Sequence, residues 1–246
     1  MDEMQREAEM QRKAEIQRVK AQFSRKASQA VLDGTGPPEA PSASCFGRIR
    51  LALPGETWPV SSGKPMLPLA QFNLAEMPYR PDNLSNIALI TVFIDQDELP
   101  TDTLNGDGWL LRAYSSLDDL VRIQDQPPTS LINPCSIQWE MIAEDYPSSD
   151  DASSLGISDL MNKDEDEGHS ELFATQQGTK IGGWPFGVQC EVLWPLAVRD
   201  TAKPEYAFQI DTEQEARWMW GDVGFGYFGR GTGEHRDVWV LEWQWY

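Results

Sequence analysis

Only two histidines and three cysteines occur in the 246 residues. The shortage of imidazole limits general acid–base chemistry and metal ligation, because His169 and His235 are far apart in sequence, with no second histidine at ligand spacing. Cys45, Cys135 and Cys190 are odd in number, widely spaced and in no CxxC arrangement. That argues against a disulfide framework or a zinc site and leads us to expect a reduced, cytoplasmic setting. There is no GxSxG nucleophile turn and no phosphate-cradling GxxxxGK[ST]. No window is apolar for long enough to span a bilayer, and the N-terminal stretch, with Asp2, Glu3, Glu7, Glu9 and Glu15, lacks the apolar core of a signal peptide. Basic residues are few: 20 Lys and Arg stand against 39 Asp and Glu, a formal charge of −19. This balance disfavours nucleic acid and anionic membranes as partners and would steer a cationic protein toward the chain. Neither a cofactor nor a metal is expected.

What the chain has in abundance is tryptophan, ten in all, seven of them from Trp184 onward. Aromatic burial on that scale requires a folded C-terminal third. The segment Arg217 to Gly229 runs two tryptophans into Gly221-Asp222-Val223-Gly224 and then alternates aromatics with glycines, as a sharp loop feeding a buried strand does. Residues 1–32 contain neither Gly nor Pro and are rich in Ala, Gln, Glu, Lys, Arg and Met, so they predict one long N-terminal helix. Ile16, Val19, Phe23, Ala27 and Ala30 form its docking stripe. Asp33-Gly34 with Pro37-Pro38 ends that helix, and 33–44 reads as a Gly/Pro linker.

The body is expected from Cys45 onward. Ile87 to Ile94 is apolar throughout and β-branched, as in a strand covered on both faces. Further strands are predicted at Trp109–Tyr114, Ile137–Ile142 and Asp237–Tyr246, the last with Trp239, Leu241, Trp243 and Trp245 on one face. Ser116 to Leu120 reads as a short helix. The acidic stretch 95–107 lacks the ligand order of a calcium loop. Gly224-Phe225-Gly226-Tyr227-Phe228-Gly229 has the glycine spacing of a dinucleotide loop but no helix opening behind it, and is assigned to a strand. From 144 to 177 the chain is acidic and poor in bulky residues, which predicts an exposed, mobile insertion between halves 45–143 and 178–246. The halves echo each other: Gln71-Phe72-Asn73-Leu74 before one strand, Gln209-Ile210-Asp211-Thr212 before another, each preceded by a glycine turn, Phe46-Gly47-Arg48 or Ile181-Gly182-Gly183-Trp184. The expectation is an α+β fold, a sheet-rich single body built from two related repeats with a long N-terminal helix.

Trp58-Pro59, Leu69 to Leu74, Lys180-Ile181-Gly182-Gly183-Trp184-Pro185, Phe208 to Asp211, Met219 to Gly224 and the final strand together resemble the YwqG-like family of bacterial proteins, over roughly residues 45–246. Gly47-Arg48 departs from the Gly-Gly pair found at 182–183. The resemblance implies an α+β fold with duplicated halves and no established reaction, and some relatives look like immunity proteins encoded beside secreted toxins. Candidate binding residues are Trp184, Gln209, Asp211, Trp220, Asp222, Gln71 and Asn73, and no catalytic set is predicted. Asp222 either holds its own turn or faces a cleft together with Asp211, where acid–base work is conceivable. The leading functional expectation is a non-enzymatic protein-binding protein, an immunity protein that occludes a basic toxin. The alternatives are a small-molecule binder or hydrolase in the cleft between the halves, and a scaffold recruited through the N-terminal helix.

Overall fold

The computed structural model describes residues 3–127, 130–148, 151, 154–157 and 175–246. Good helix formers and a Lys13–Glu9 pair one turn apart at 2.6 Å give helix α1, Glu3–Phe23. Strands follow in the order β1 (Arg25–Leu32), β2 (Cys45–Phe46), β3 (Leu51–Ala52), β4 (Val60–Ser61), β5 (Lys64–Pro65), β6 (Leu67–Asn73), β7 (Leu89–Ile94), β8 (Trp109–Tyr114), β9 (Val121–Arg122), β10 (Cys135–Asp145) and β11 (Lys180–Gly182). A short helix α2 (Leu196–Ala202) precedes β12 (Glu205–Asp211), β13 (Gly224–Arg230) and β14 (Trp239–Trp245). Ten of the strands form one sheet in the order β14-β13-β12-β11-β1-β10-β2-β6-β7-β8, while β3 pairs with β9 and β4 with β5. Every pairing is antiparallel.

The sheet curls until its flanks face each other. Phe72 of β6 meets Phe208 of β12 edge-on at 5.7 Å, Trp109 of β8 meets Phe228 of β13 at 6.0 Å, and Phe208 stacks on Phe228 at 4.5 Å. Trp243 on edge strand β14 donates its Nε1–H to the Pro100 carbonyl at 2.7 Å, beside the opposite edge. A nearly closed sheet thus wraps a main aromatic core, which buries inward side chains from both flanks and leaves little free edge.

The helix expected over 1–32 stops at Phe23, and 25–32 is the strand beside the centre of the sheet. Propensity for helix there is overridden by partners on both sides: β1 pairs with β10 from Arg25 to Leu32 and with β11 from Ala27 to Gln29. Ser28, wholly buried, donates its hydroxyl to the Tyr79 carbonyl at 2.6 Å and accepts the Tyr79 N–H at 2.9 Å, bonds that an isolated helix would not offer. Ile16 and Val19 of α1 do dock, against Tyr146 and Ile157. Ser116 to Leu120 forms a turn rather than a helix. Part of the expected mobile insertion belongs to the body: Glu144 and Asp145 complete β10, and Asp145 and Tyr146 are buried. Residues 149–150, 152–153 and 158–174, with His169, lie outside the described residues. No described helix is long and apolar enough to cross a membrane.

A chain beginning at Phe23 should keep a cooperative thermal transition at a lower midpoint, whereas one beginning at Asp33 loses β1 and should have none. Circular dichroism melts of the two truncations check this.

Candidate functional site

The most polar point of the interior lies where β10 ends and β11 begins. Asp145 and Lys180 are both fully buried and form an ion pair at 2.7 Å. Both groups have further partners. Asp145 Oδ2 also accepts the Trp184 N–H at 2.8 Å, its Oδ1 accepts the Gln176 N–H at 2.8 Å, and Lys180 Nζ also donates to the Gln176 carbonyl at 2.6 Å. Burial pushes the Lys180 amine below its ordinary range, and the Asp145 charge pulls it back up. Gly182 and Gly183 carry the chain over this pair with φ of +81° and +71°. A Cβ on Gly183 would collide with the Asp145 carboxylate, so position 183 needs glycine for space as well as for backbone angle. At the other glycine turn Gly47 also has φ +66°, but Arg48 has no positive φ, so no second glycine is needed there.

Trp184 closes the turn. It is 9 % exposed, its Nε1–H donates to the Phe23 carbonyl at 2.7 Å, and the Arg25 guanidinium lies 3.4 Å from its ring centroid. It is therefore a packing and cation–π element tying α1 and β1 to β11.

Gln71 and Gln209, both wholly buried, each brace a glycine turn. Gln71 donates Nε2 to the Pro41 and Ala43 carbonyls at 2.9 Å each and accepts the Arg50 N–H at 3.1 Å. Gln209 donates Nε2 to the Gly178 carbonyl at 2.8 Å and accepts the Phe186 N–H at 2.9 Å and the Tyr206 hydroxyl at 3.2 Å. Two residues on, the Asn73 N–H donates to Ser44 Oγ at 2.9 Å and the Asp211 N–H to Thr179 Oγ1 at 3.0 Å. Glu76 accepts the Ser44 N–H, and Glu213 accepts the Thr179 hydroxyl. These predicted site residues thus divide between the two flanks instead of converging on one cavity.

Burial raises the Asp211 carboxyl to about 6, against backbone bonds from Thr212 and Gly178. Burial likewise raises Glu213 to about 7, with the charges of Asp211 and Glu215 adding to it and the Thr179 hydroxyl opposing. Asp222 stands exposed between Gly221 and Val223, whose φ values are +55° and +58°. Trp220 is fully buried, with its ring packed where Gly226 has no Cβ and its Nε1–H unpartnered among the described residues. The glycine-rich segment is strand β13, in which glycine makes room for indole.

Two larger clefts flank the glycine turns. One, of about 580 Å³, lies among Arg25, Tyr79, Gly182, Gly183, Glu205 and Tyr206; the other, of about 600 Å³, among Gly47, Arg48, Trp58, Met66, Gln126 and Leu131. Burial pushes the Cys45 thiol up to about 12 and Cys135 up to about 11, leaving both poor nucleophiles at neutral pH. Among the described residues no group of three His, Cys, Asp or Glu side chains could hold a metal ion. Sequence reasoning missed Asp145 and Glu213, because nothing in their local composition marks an acidic residue for burial. Lys180 is visible only as the first residue of the Lys180-Ile181-Gly182-Gly183-Trp184-Pro185 run.

Lys180→Met would leave a buried carboxylate without its cation, a loss expected to cost about 3–5 kcal/mol, measured by urea unfolding. Asp211 and Glu213 are raised in the folded state, so between about pH 4.5 and 7 the fold binds more protons than the unfolded chain and stability falls as pH rises. The midpoint should therefore climb from pH 8 to pH 5, and Glu213→Gln should raise it at pH 8 and flatten that climb, read from thermal melts across the series.

No curated protein matches the chain. A family model described as a domain of unknown function (DUF1963) matches residues 47–229, from the first glycine turn almost to the end of β13, and so spans both braced turns and most of both flanks. The chain therefore belongs to the DUF1963 family.

Proposed function

We propose that the protein is a non-enzymatic, cytoplasmic binding protein that engages a basic protein partner, in the manner of an immunity protein neutralising a cationic toxin. The observation that carries this reading is where the charge lies. The polar groups best suited to chemistry, Lys180, Asp145, Gln71 and Gln209, are buried and engaged in holding turns. The surplus negative charge stands outside. Asp97, Glu98, Asp102 and Asp107 are exposed on the loop joining β7 to β8, at the seam where the two sheet edges approach, and Leu104 among them is 43 % exposed. Lys64, paired with Asp97 at 2.8 Å, is the cation bonded into that group. Burial and the nearby Asp102 charge push Glu242 of β14 up to about 7. Such a surface attracts a basic protein over distance and offers an apolar contact at its centre.

The closer kinship, to the YwqG-like proteins, and the origin of the body as two related halves belong to the same proposal. Supporting the latter, β2-β6-β7-β8 and β11-β12-β13-β14 lie in matching order on either side of β1 and β10. The Gln71 and Gln209 braces bond equivalent turns, and the ladder slips between Pro68 and Ala70 in one flank and between Tyr206 and Phe208 in the other, two residues before each glutamine. A second functional reading, a small-molecule binder or hydrolase between the halves, is favoured by the 580 Å³ cleft, whose walls come from Tyr79 and Pro81 on one flank and Glu205 and Tyr206 on the other.

Affinity capture from the native cell, with wild type beside the variant Asp97→Asn, Glu98→Gln, Asp102→Asn, Asp107→Asn, tests the leading reading. Wild type should retain a basic protein, held at least about tenfold more weakly at 300 mM than at 50 mM salt, and the variant should lose it. Capture of nothing basic, or capture indifferent to both changes, would contradict it.

A further inference from the structure

Arg230, the last residue of β13, is only 6 % exposed. A guanidinium keeps its charge at any pH the fold survives, so burying one calls for a compensating anion. Its hydrogen bonds all go to neutral oxygens: Nε donates to the Arg236 carbonyl at 2.6 Å, and Nη1 to the Asn83 carbonyl at 2.6 Å and to Asn86 Oδ1 at 2.8 Å. Among the described residues Nη2 has no acceptor and no carboxylate reaches ion-pair distance of Arg230. Glu205 is its cross-strand neighbour in the ladder, yet no ion pair joins them.

Arg230 lines a cleft of about 260 Å³ that adjoins the 580 Å³ cleft, Asp82, Asn83 and Glu205 lining both. Arg236 stands on the same wall, exposed, with its Nε held by the Gly233 carbonyl. Thr232 lies between the two arginines in sequence, and Asn83 and Ser85 line the cleft as well. Asn83 contributes a second unmet demand: its Oδ1 is buried and has no donor among the described residues, although its Nδ2 is bonded to the Tyr206 carbonyl. A buried guanidinium with no ion-pair partner among the described residues, eased only by the charge of nearby Asp237 and by the Trp239 ring 5.5 Å away, and an orphaned acceptor therefore line one small cavity, in a protein whose net charge is −19. The exposed carboxylates of Asp82 and Glu205 also line it. They exclude a bare polyanion and favour a ligand that brings a proton of its own.

We infer that this cleft binds a small oxyanion carrying a hydrogen-bond donor, with the charge on the Arg230–Arg236 pair and the donor on Asn83 Oδ1. Hydrogen phosphate and the carboxylate of an amino acid share that chemistry. An Arg fork recognises either oxyanion through paired, charge-assisted bonds. The site is separate from the acidic seam proposed for the protein partner, and neither reading depends on the other.

Thermal unfolding with inorganic phosphate in one arm and L-serine in another, each at ionic strength matched with sodium chloride, tests the inference. A ligand at ten times its dissociation constant should raise the wild-type midpoint by about 3–6 °C. Because phosphate also stabilises proteins by exclusion from their surface, the comparison is with Arg236→Gln, an exposed position whose loss leaves the Arg230 bridge in place. The site-specific shift should vanish in that variant, and Arg230→Lys, which keeps charge without the fork, should weaken binding at least about tenfold. A shift in one arm alone identifies which oxyanion fits. No shift in either arm, or equal shifts in wild type and Arg236→Gln, would overturn the inference.

Discussion

The Asp145 carboxylate is the constraint on which much of the remaining structure depends. It sits at the end of β10 with no exposure, and it gathers the Lys180 amine, the Trp184 amide and the Gln176 amide. Those three contacts fix the start of β11, the Gly182-Gly183 turn and the chain entering from residue 175. Trp184, once held, supplies the ring under Arg25 and the donor for the Phe23 carbonyl, so the junction of α1 with β1 follows from the same carboxylate. A buried ion pair of this kind adds little net stability over an apolar pair of equal volume, because desolvation offsets the attraction. It acts here by making any other register of β10 or β11 on β1 leave a charge alone.

Around that point the fold uses a neutral version of the same device. Buried glutamine amides at 71 and 209 saturate backbone groups of the turns that β2 and β11 enter, and serine and threonine hydroxyls at 44 and 179 receive the amides of residues 73 and 211. Partly satisfied polar groups in a core are costly, and here nearly all capacity is filled. Three of the exceptions among the described residues are informative. The Trp218 and Trp220 indoles lack acceptors in the densest aromatic packing, whereas Asn83 lacks a donor at a cleft. The first pair fits a core that favours ring packing over hydrogen bonding, the second a site open to a ligand.

Much of the sheet was legible because its strands carry their periodicity openly. Leu89–Ile94, Trp109–Tyr114 and Trp239–Trp245 fall within or upon the predicted segments, and β13 is the aromatic–glycine strand that its loop announced. β1 was hidden, since Arg25-Lys26-Ala27-Ser28-Gln29-Ala30 is composed as a helix and becomes a strand only through β10 and β11, distant in sequence. Of the candidate residues, Gln71, Asn73, Gln209 and Asp211 are buried or half-buried and bonded to backbone, but as supports of two separate turns. Asp222 is exposed on its loop, whereas Asp211 is half-buried. Asp145 and Arg230 were not legible, because a burial that depends on tertiary neighbours leaves no local pattern.

The interior polar groups hold the fold and are closed to reagents, the condition on which the proposed surface function rests. Amine labelling of the native protein with a small acylating reagent, followed by peptide mapping over time, tests this most directly. Lys13 and Lys64, both well exposed, should react at once, and Lys180 only as fast as the whole molecule unfolds. Labelling of Lys180 at the surface rate would contradict the account and reopen the interior as a place where chemistry is done.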